Sequence, residues 1–213
     1  MNRYNIFCED CIQGMNRLEN RSVDLIIADP PYGDNYAYGT LDKKILNDEN
    51  PIINLQALEQ YWRVLKMNKT CYLFTNWKHY PFLFNYVKQY TKFNLKTVIV
   101  WKKKNLGFGF AFRNQHEFIM VLEKGKPKYK FNNFGNVQEF GGLVHTKDSH
   151  PHQKPIELIK KLIEHSSNEG DVILDSFFGS AKTLDACKDT DRNFYGFELD
   201  PKYFNPVAQS LEF

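Results

Sequence analysis

The feature that most constrains this chain is a repeated switch of hydrophobic period. Short apolar runs alternate along most of its length with stretches in which apolar residues recur every three or four positions. Strands separated by helices pair through crossovers, so the pattern predicts an α/β fold, a mixed but mostly parallel seven-stranded sheet with helices on both faces. Strands are expected near 5–8, 23–28, 70–75, 95–101, 117–122, 172–175 and 194–198. The clearest helix is predicted over 52–66, where Leu55, Leu58, Tyr61, Trp62 and Leu65 share one face. A second, over 155–165, opens with Pro155 and turns Ile156, Leu158, Ile159, Leu162 and Ile163 inward. Two stretches rich in turn residues, 33–51 and 125–150, have no clear period.

With 213 residues, 42% hydrophobic and 25% charged, the chain suits one globular domain over 1–213 and neither a disordered protein nor a membrane-spanning one. Four scattered cysteines and a start without an apolar leader predict a reduced, cytoplasmic protein with no membrane association. Cys8 and Cys11 form a Cys-x-x-Cys, but no second ligand pair of similar spacing follows, so no metal is expected. Charge is uneven: between Lys88 and Lys130, eleven lysines and arginines against Glu117 and Glu123 give +9, leaving −6 elsewhere in a chain of net +3. A single lysine can simply face water, but this concentration, interleaved with aromatics, favours a polyanion partner.

Chemistry is suggested where the 23–28 run ends, at Asp29-Pro30-Pro31-Tyr32. The amino nitrogen of adenine or cytosine has its lone pair delocalised into the ring. It becomes nucleophilic when hydrogen-bond acceptors draw its N–H bonds out of plane. Asp29 offers one acceptor and the Pro30 carbonyl another, with the two prolines stiffening the backbone between them. Tyr32 offers a face on which a flipped base can stack. The plainer alternative is a strand ended by proline, with Asp29 capping a turn and Tyr32 covering apolar surface. A second constellation runs from Val172 to Thr183: a buried strand, a loop through Asp175, Ser176, Phe177, Phe178, Gly179 and Ser180, and a helix start. Such loops bring backbone N–H groups against a ligand, and Glu198, closing the strand that follows, can accept hydrogen bonds from ribose hydroxyls.

These residues resemble the amino-group DNA methyltransferases that use S-adenosylmethionine, a family with a Rossmann-like methyltransferase fold. The catalytic motif Asp29 to Tyr32 matches in full. Of the family's Asp-Pro-Phe-x-Gly-Ser-Gly-Thr-Thr loop, Asp175, Phe177, Gly179, Ser180 and Thr183 match, while Ser176, Ala181 and Lys182 depart from it. Lys182 either serves the cofactor's carboxylate or is solvated. The catalytic motif precedes the cofactor loop, which resembles the circularly permuted beta-type group. That group also opens with a strand and Asp-Cys, here Asp10 and Cys11, and carries His-Pro-x-Gln-Lys-Pro, here 150–155. The resemblance implies that Asp10 and Cys11 lie at the adenine of S-adenosylmethionine and that Lys154 and Pro155 lie at its methionine end. It extends to the stretch from Arg113 to Glu117.

The resemblance implies methyl transfer to the N6 amino group of adenine in DNA, since aspartate at the first motif position is usual for adenine-modifying members. N4 of cytosine is the alternative target, and a non-catalytic DNA-binding subunit of the same fold is the alternative of another class. A glutamine methyltransferase of release factors also uses Pro-Pro-Tyr, but after asparagine and after the cofactor loop. Lys102, Lys103, Lys104, Arg113, Lys126 and Lys128, with Lys124 and Lys130, are the candidates for DNA phosphate contacts. Segments 33–51 and 124–149 are the candidate DNA-recognition loops. They are short for that task, which is compatible with a short recognition site, relaxed specificity or a homodimer.

Overall fold

A computed structural model describes residues 3–32, 52–106, 111–141 and 154–211. Its elements, in chain order, are β1 (Tyr4–Cys8), α1 (Cys11–Asn16), β2 (Val23–Ala28), α2 (Ile52–Val64), β3 (Leu65–Thr75), α3 (Tyr80–Tyr90), β4 (Asn94–Lys103), β5 (His116–Lys124), β6 (Val137–Phe140), α4 (Ile156–Ser166), β7 (Val172–Asp175), α5 (Lys182–Asp189), β8 (Asn193–Glu198) and α6 (Pro201–Gln209). All strands form one sheet in the order β1-β8-β7-β2-β3-β5-β4-β6. Among the described strands only β5 runs against the rest, antiparallel to both β3 and β4.

All seven expected strands are present, and an eighth corrects the count. β6 lies in the stretch read as turn-rich, pairing parallel with β4 from Val100↔Val137 to Lys103↔Phe140. It was hidden because its buried residue is polar: Gln138 points inward, accepting a 2.9 Å hydrogen bond from Lys161 of α4, while Val137 is exposed. Helix α2 is two residues shorter than its hydrophobic pattern, because Leu65 already pairs with Val23 as the first residue of β3. The ladder then breaks and resumes at Leu25↔Thr70, with Asn68 at φ +59° in the irregular stretch.

Both faces of the sheet are buried, and the two-residue period divides side chains between two cores. Ile26, Ala28, Cys71, Leu73, Met120, Leu122, Leu174 and Phe197 join one core, with α1, α2 and α3 residues. Their neighbours Leu25, Ile27, Tyr72, Phe74, Ile119, Val121, Ile173 and Phe194 join the other, under α4 and α5. Helix α1 sits so near β8 that a Cβ at Gly14 would fall 2.1 Å from the Phe197 ring. The chain leaves β2 toward β3 and leaves β7 toward β8, in opposite directions from adjacent strands. A crevice therefore opens at the carboxyl edge between Ala28 and Asp175, the position at which doubly wound sheets take ligands. Among the described residues no helix is long and apolar enough to cross a membrane.

Candidate active site

Four acidic residues follow one another along that carboxyl edge in strand order: Asp10 after β1, Glu198 ending β8, Asp175 ending β7 and Asp29 after β2. Asp10 is the N-cap of α1, and one of its oxygens accepts from the backbone N–H of Ile12 at 3.0 Å and of Gln13 at 3.1 Å. Cys11 is buried in the core at the start of the same helix, and burial pushes its thiol up to about 12. Glu198 accepts from the N–H of Gly179 at 2.9 Å and of Asp200 at 2.8 Å. Burial raises its carboxyl despite these bonds.

The β7–α5 loop is a left-handed turn. Gly179 has φ +46°, and Ala181, the N-cap of α5, sits at φ +60° and ψ 25°. Asp175 closes the loop from below, accepting from the Phe177 N–H at 3.0 Å and from the Thr183 hydroxyl at 2.6 Å. Burial pushes the Asp175 carboxyl up to about 7, against those two bonds, and nearby Asp29 and Glu198 add to the rise. Ser176, standing where the resembled motif has proline, is buried and shares a hydrogen bond with the buried Tyr61 hydroxyl. Lys182 pairs with Asp185 at 2.9 Å on the helix surface, a structural partner for the ammonium.

Asp29, with a side chain 26% exposed, is held on both oxygens. The Tyr32 hydroxyl donates to one. The Lys154 ammonium, from just before α4, lies 2.7 Å from the other and 3.1 Å from Glu117 of β5. Lys103 of β4 pairs with Glu117 in turn. Burial alone would lower the Lys154 ammonium and raise the Glu117 carboxyl; their mutual attraction, with Asp29 and Lys103, reverses both, leaving Lys154 above its usual range and Glu117 at about 2. Pro155 is the N-cap of α4.

Sequence reasoning missed Asn54, whose amide donates to the Pro31 carbonyl at 3.1 Å and lies 3.1 Å from the His79 ring nitrogen. The signal was available: Asn54 shares the buried stripe of α2 with Leu58 and Tyr61, and a polar residue there needs a partner. Segment 33–51, residues 107–110 and the stretch 142–153 with its His-Pro-x-Gln lie outside the described residues.

The expected phosphate contacts divide between the two ends of the sheet. Lys102 and Lys103 end β4 at the carboxyl edge, Lys104 follows it, and Arg113 precedes β5 there. Lys102 forms an exposed pair with Glu139 at 3.0 Å, and the Arg113 guanidinium donates to the Leu106 carbonyl at 3.4 Å. Lys126 and Lys128 follow the far end of β5, where Lys124 pairs with Lys69. That is six positions along the ladder from Thr75↔Phe118, and about 20 Å at strand spacing. Asp29 lies at the carboxyl edge as well, so Lys102 to Lys104 and Arg113 share its end of the sheet while Lys126 and Lys128 do not. Lys124 is buried, its ammonium donating to the Leu65 carbonyl at 2.6 Å and to that of Trp62, where α2 ends.

The edge suits S-adenosylmethionine by its chemistry. Glu198 and Asp10 at the rim match a ligand carrying a cationic centre and ribose hydroxyls, and Asp175 braces the loop between β7 and α5 from below.

Comparison with known proteins agrees. The Type II methyltransferase M.HpaI of Haemophilus parainfluenzae is 29% identical over 231 residues, covering 97% of this chain and 74% of that protein. The DNA adenine methyltransferase YhdJ of Escherichia coli is 26% identical, over 95% and 81%. The crystal structure of an M1.HpyAVI–SAM complex superposes with a TM-score of 0.74 at 26% identity, covering 97% of this chain and 99% of that one. The PvuII cytosine-N4-specific DNA methyltransferase shares the fold at TM-score 0.81 and 14% identity, over 97% and 87%. A family model described as DNA methylase, of the N6/N4 type, matches residues 23–210, and the chain belongs to that family.

Proposed function

We propose that this protein transfers a methyl group from S-adenosylmethionine to the N6 amino group of an adenine flipped out of DNA. The observation that carries the reading is the position of Asp29-Pro30-Pro31-Tyr32 directly after β2, on the lip of the crevice and in one row with Asp175, Glu198 and Asp10. S-adenosylmethionine supplies an electrophilic methyl on sulfur. The chain supplies the rest: Asp29 accepts one amino N–H and the Pro30 carbonyl accepts the other, restoring lone-pair density on the nitrogen. Asn54 fixes the Pro31 carbonyl and with it the course of the motif. Tyr32 orients the carboxylate through its hydroxyl and offers its ring to the base. Asp10, Glu198, Asp175 and the loop from Phe177 to Thr183 hold the cofactor, and Lys154 and Pro155 border it. The adenine-specific name of one relative, and aspartate at the first motif position, favour adenine over cytosine.

Incubation with DNA and S-adenosylmethionine, followed by mass spectrometry of the nucleosides, tests this. N6-methyladenine is expected, with Asp29→Asn lowering the rate by about 100-fold or more while cofactor binding stays within about threefold. N4-methylcytosine without N6-methyladenine would overturn the choice of base, and an active Asp29→Asn protein would overturn the mechanism.

A further inference from the structure

We propose that Glu117 is a positioning residue for Asp29, acting through the buried ammonium of Lys154. The inference rests on the methyltransferase reading above and concerns residues from four separate stretches of the chain. Lys103, Glu117, Lys154 and Asp29 form a chain of alternating charge from the end of β4 to the catalytic motif. Its inner members are nearly out of water, Lys154 at 6% exposure and Glu117 at 8%. Burying charges costs stability, and apolar residues of similar volume generally fill such space at no loss. The arrangement is therefore better explained by what it does to Asp29 than by stability.

The geometry supplies that role. Lysine has a long, flexible stem, and a single contact with Asp29 would leave both groups free to move. Here the ammonium is fixed from several sides: Asp29 at 2.7 Å, Glu117 at 3.1 Å, and the rings of Tyr32 and Phe74 at 5.6 and 5.5 Å. Glu117 can act as the anchor because it stands in β5, opposite Trp101 of β4, and is itself held by Lys103. It also shares the ammonium. Without Glu117, the full positive charge of Lys154 falls on Asp29 and competes with the amino group for its oxygens. With Glu117, Asp29 is oriented and keeps acceptor strength for the substrate.

The test compares Glu117→Gln, Lys154→Met and the double variant in the full-length protein, by single-turnover methylation of DNA, S-adenosylmethionine affinity and thermal melting. Glu117→Gln should lower the methyl-transfer rate at least about tenfold while cofactor affinity changes less than about threefold. In the Lys154→Met background the same substitution should cost less than about twofold, because a residue acting through Lys154 has nothing left to act on. An unchanged rate in Glu117→Gln overturns the proposal, as does a loss of equal size in both backgrounds. Should Glu117→Gln not fold, Glu117→Asp, which keeps the charge but shortens its reach to Lys154, replaces it in both backgrounds under the same criterion. A native protein that methylates DNA while these variants behave otherwise defeats this inference alone. A native protein that does not methylate DNA defeats the reading beneath it.

Discussion

At the scale of single residues, Ala181 explains why the resembled cofactor loop carries glycine at its place. The position is left-handed, with φ +60° and ψ 25°, a conformation that costs a residue with a Cβ roughly 1–2 kcal/mol. Alanine is also a poorer helix N-cap than glycine. Against this, the Ala181 methyl is buried, and removing it forfeits about 0.8 kcal/mol. The backbone term is the larger, so Ala181→Gly should stabilise the protein by about 0.5–1 kcal/mol, read as a higher urea midpoint at unchanged slope. A lower midpoint would mean that the methyl's packing outweighs the backbone conformation. The departure was visible in the sequence because it sits inside a contiguous motif, whereas its cause, a dihedral angle, was not. Asp29-Pro30-Pro31-Tyr32 was legible for the same reason. The Lys154–Glu117–Lys103 chain was not, since its members come from separate stretches and meet only when α4, β5 and β4 converge. Nothing local in Lys102-Lys103-Lys104 distinguishes the lysine that pairs with a buried glutamate from those beside it.

At the scale of elements, the hydrophobic period located every strand that carries an apolar run, the edge strand β1 included, and failed at the other edge. β6 has one buried position, occupied by Gln138, so no apolar run marks it. Direction within the sheet was equally hidden. The basic segment reads as one block, but β5 reverses between its parts, leaving Lys102 and Lys104 at the catalytic edge and Lys126 and Lys128 at the other. The two pairs should therefore behave differently on DNA. Each phosphate contact adds about 0.9 to the slope of log affinity against log salt, so Lys102→Ala with Lys104→Ala should reduce that slope by about 1–2. Lys126→Ala with Lys128→Ala should leave it unchanged. Fluorescence anisotropy over a salt series measures both, and an equal effect of the two pairs would place DNA across both ends of the sheet.

For the whole molecule, the two cores flanking one sheet force charged groups at the carboxyl edge into places that water reaches poorly, and the consequences for stability have opposite signs. Glu117 lies low, at about 2 against an ordinary 4.5, because two lysines outweigh its burial. Its contribution is present above pH 4.5 and is lost as pH falls toward 2. Asp175 lies high, at about 7 against an ordinary 3.8, because burial outweighs its hydrogen bonds. Its contribution is full below pH 3.8 and is lost as pH rises through about 7. Between pH 4.5 and 7 only the Asp175 term changes, so of these two groups it alone sets the slope there, downward with rising pH by up to about 1.4 kcal/mol per unit. For a chain of this length that is up to about 3–6 °C in melting temperature per unit. Asp175→Asn resembles the protonated side chain and cannot titrate, so melting temperatures taken at half-unit steps across that window should separate as pH rises: the native protein falls relative to the variant, whose own slope is the shallower. Parallel curves for the two proteins would show that Asp175 is ionised throughout the window, stabilised by the Thr183 hydroxyl and the Phe177 N–H more strongly than burial opposes it.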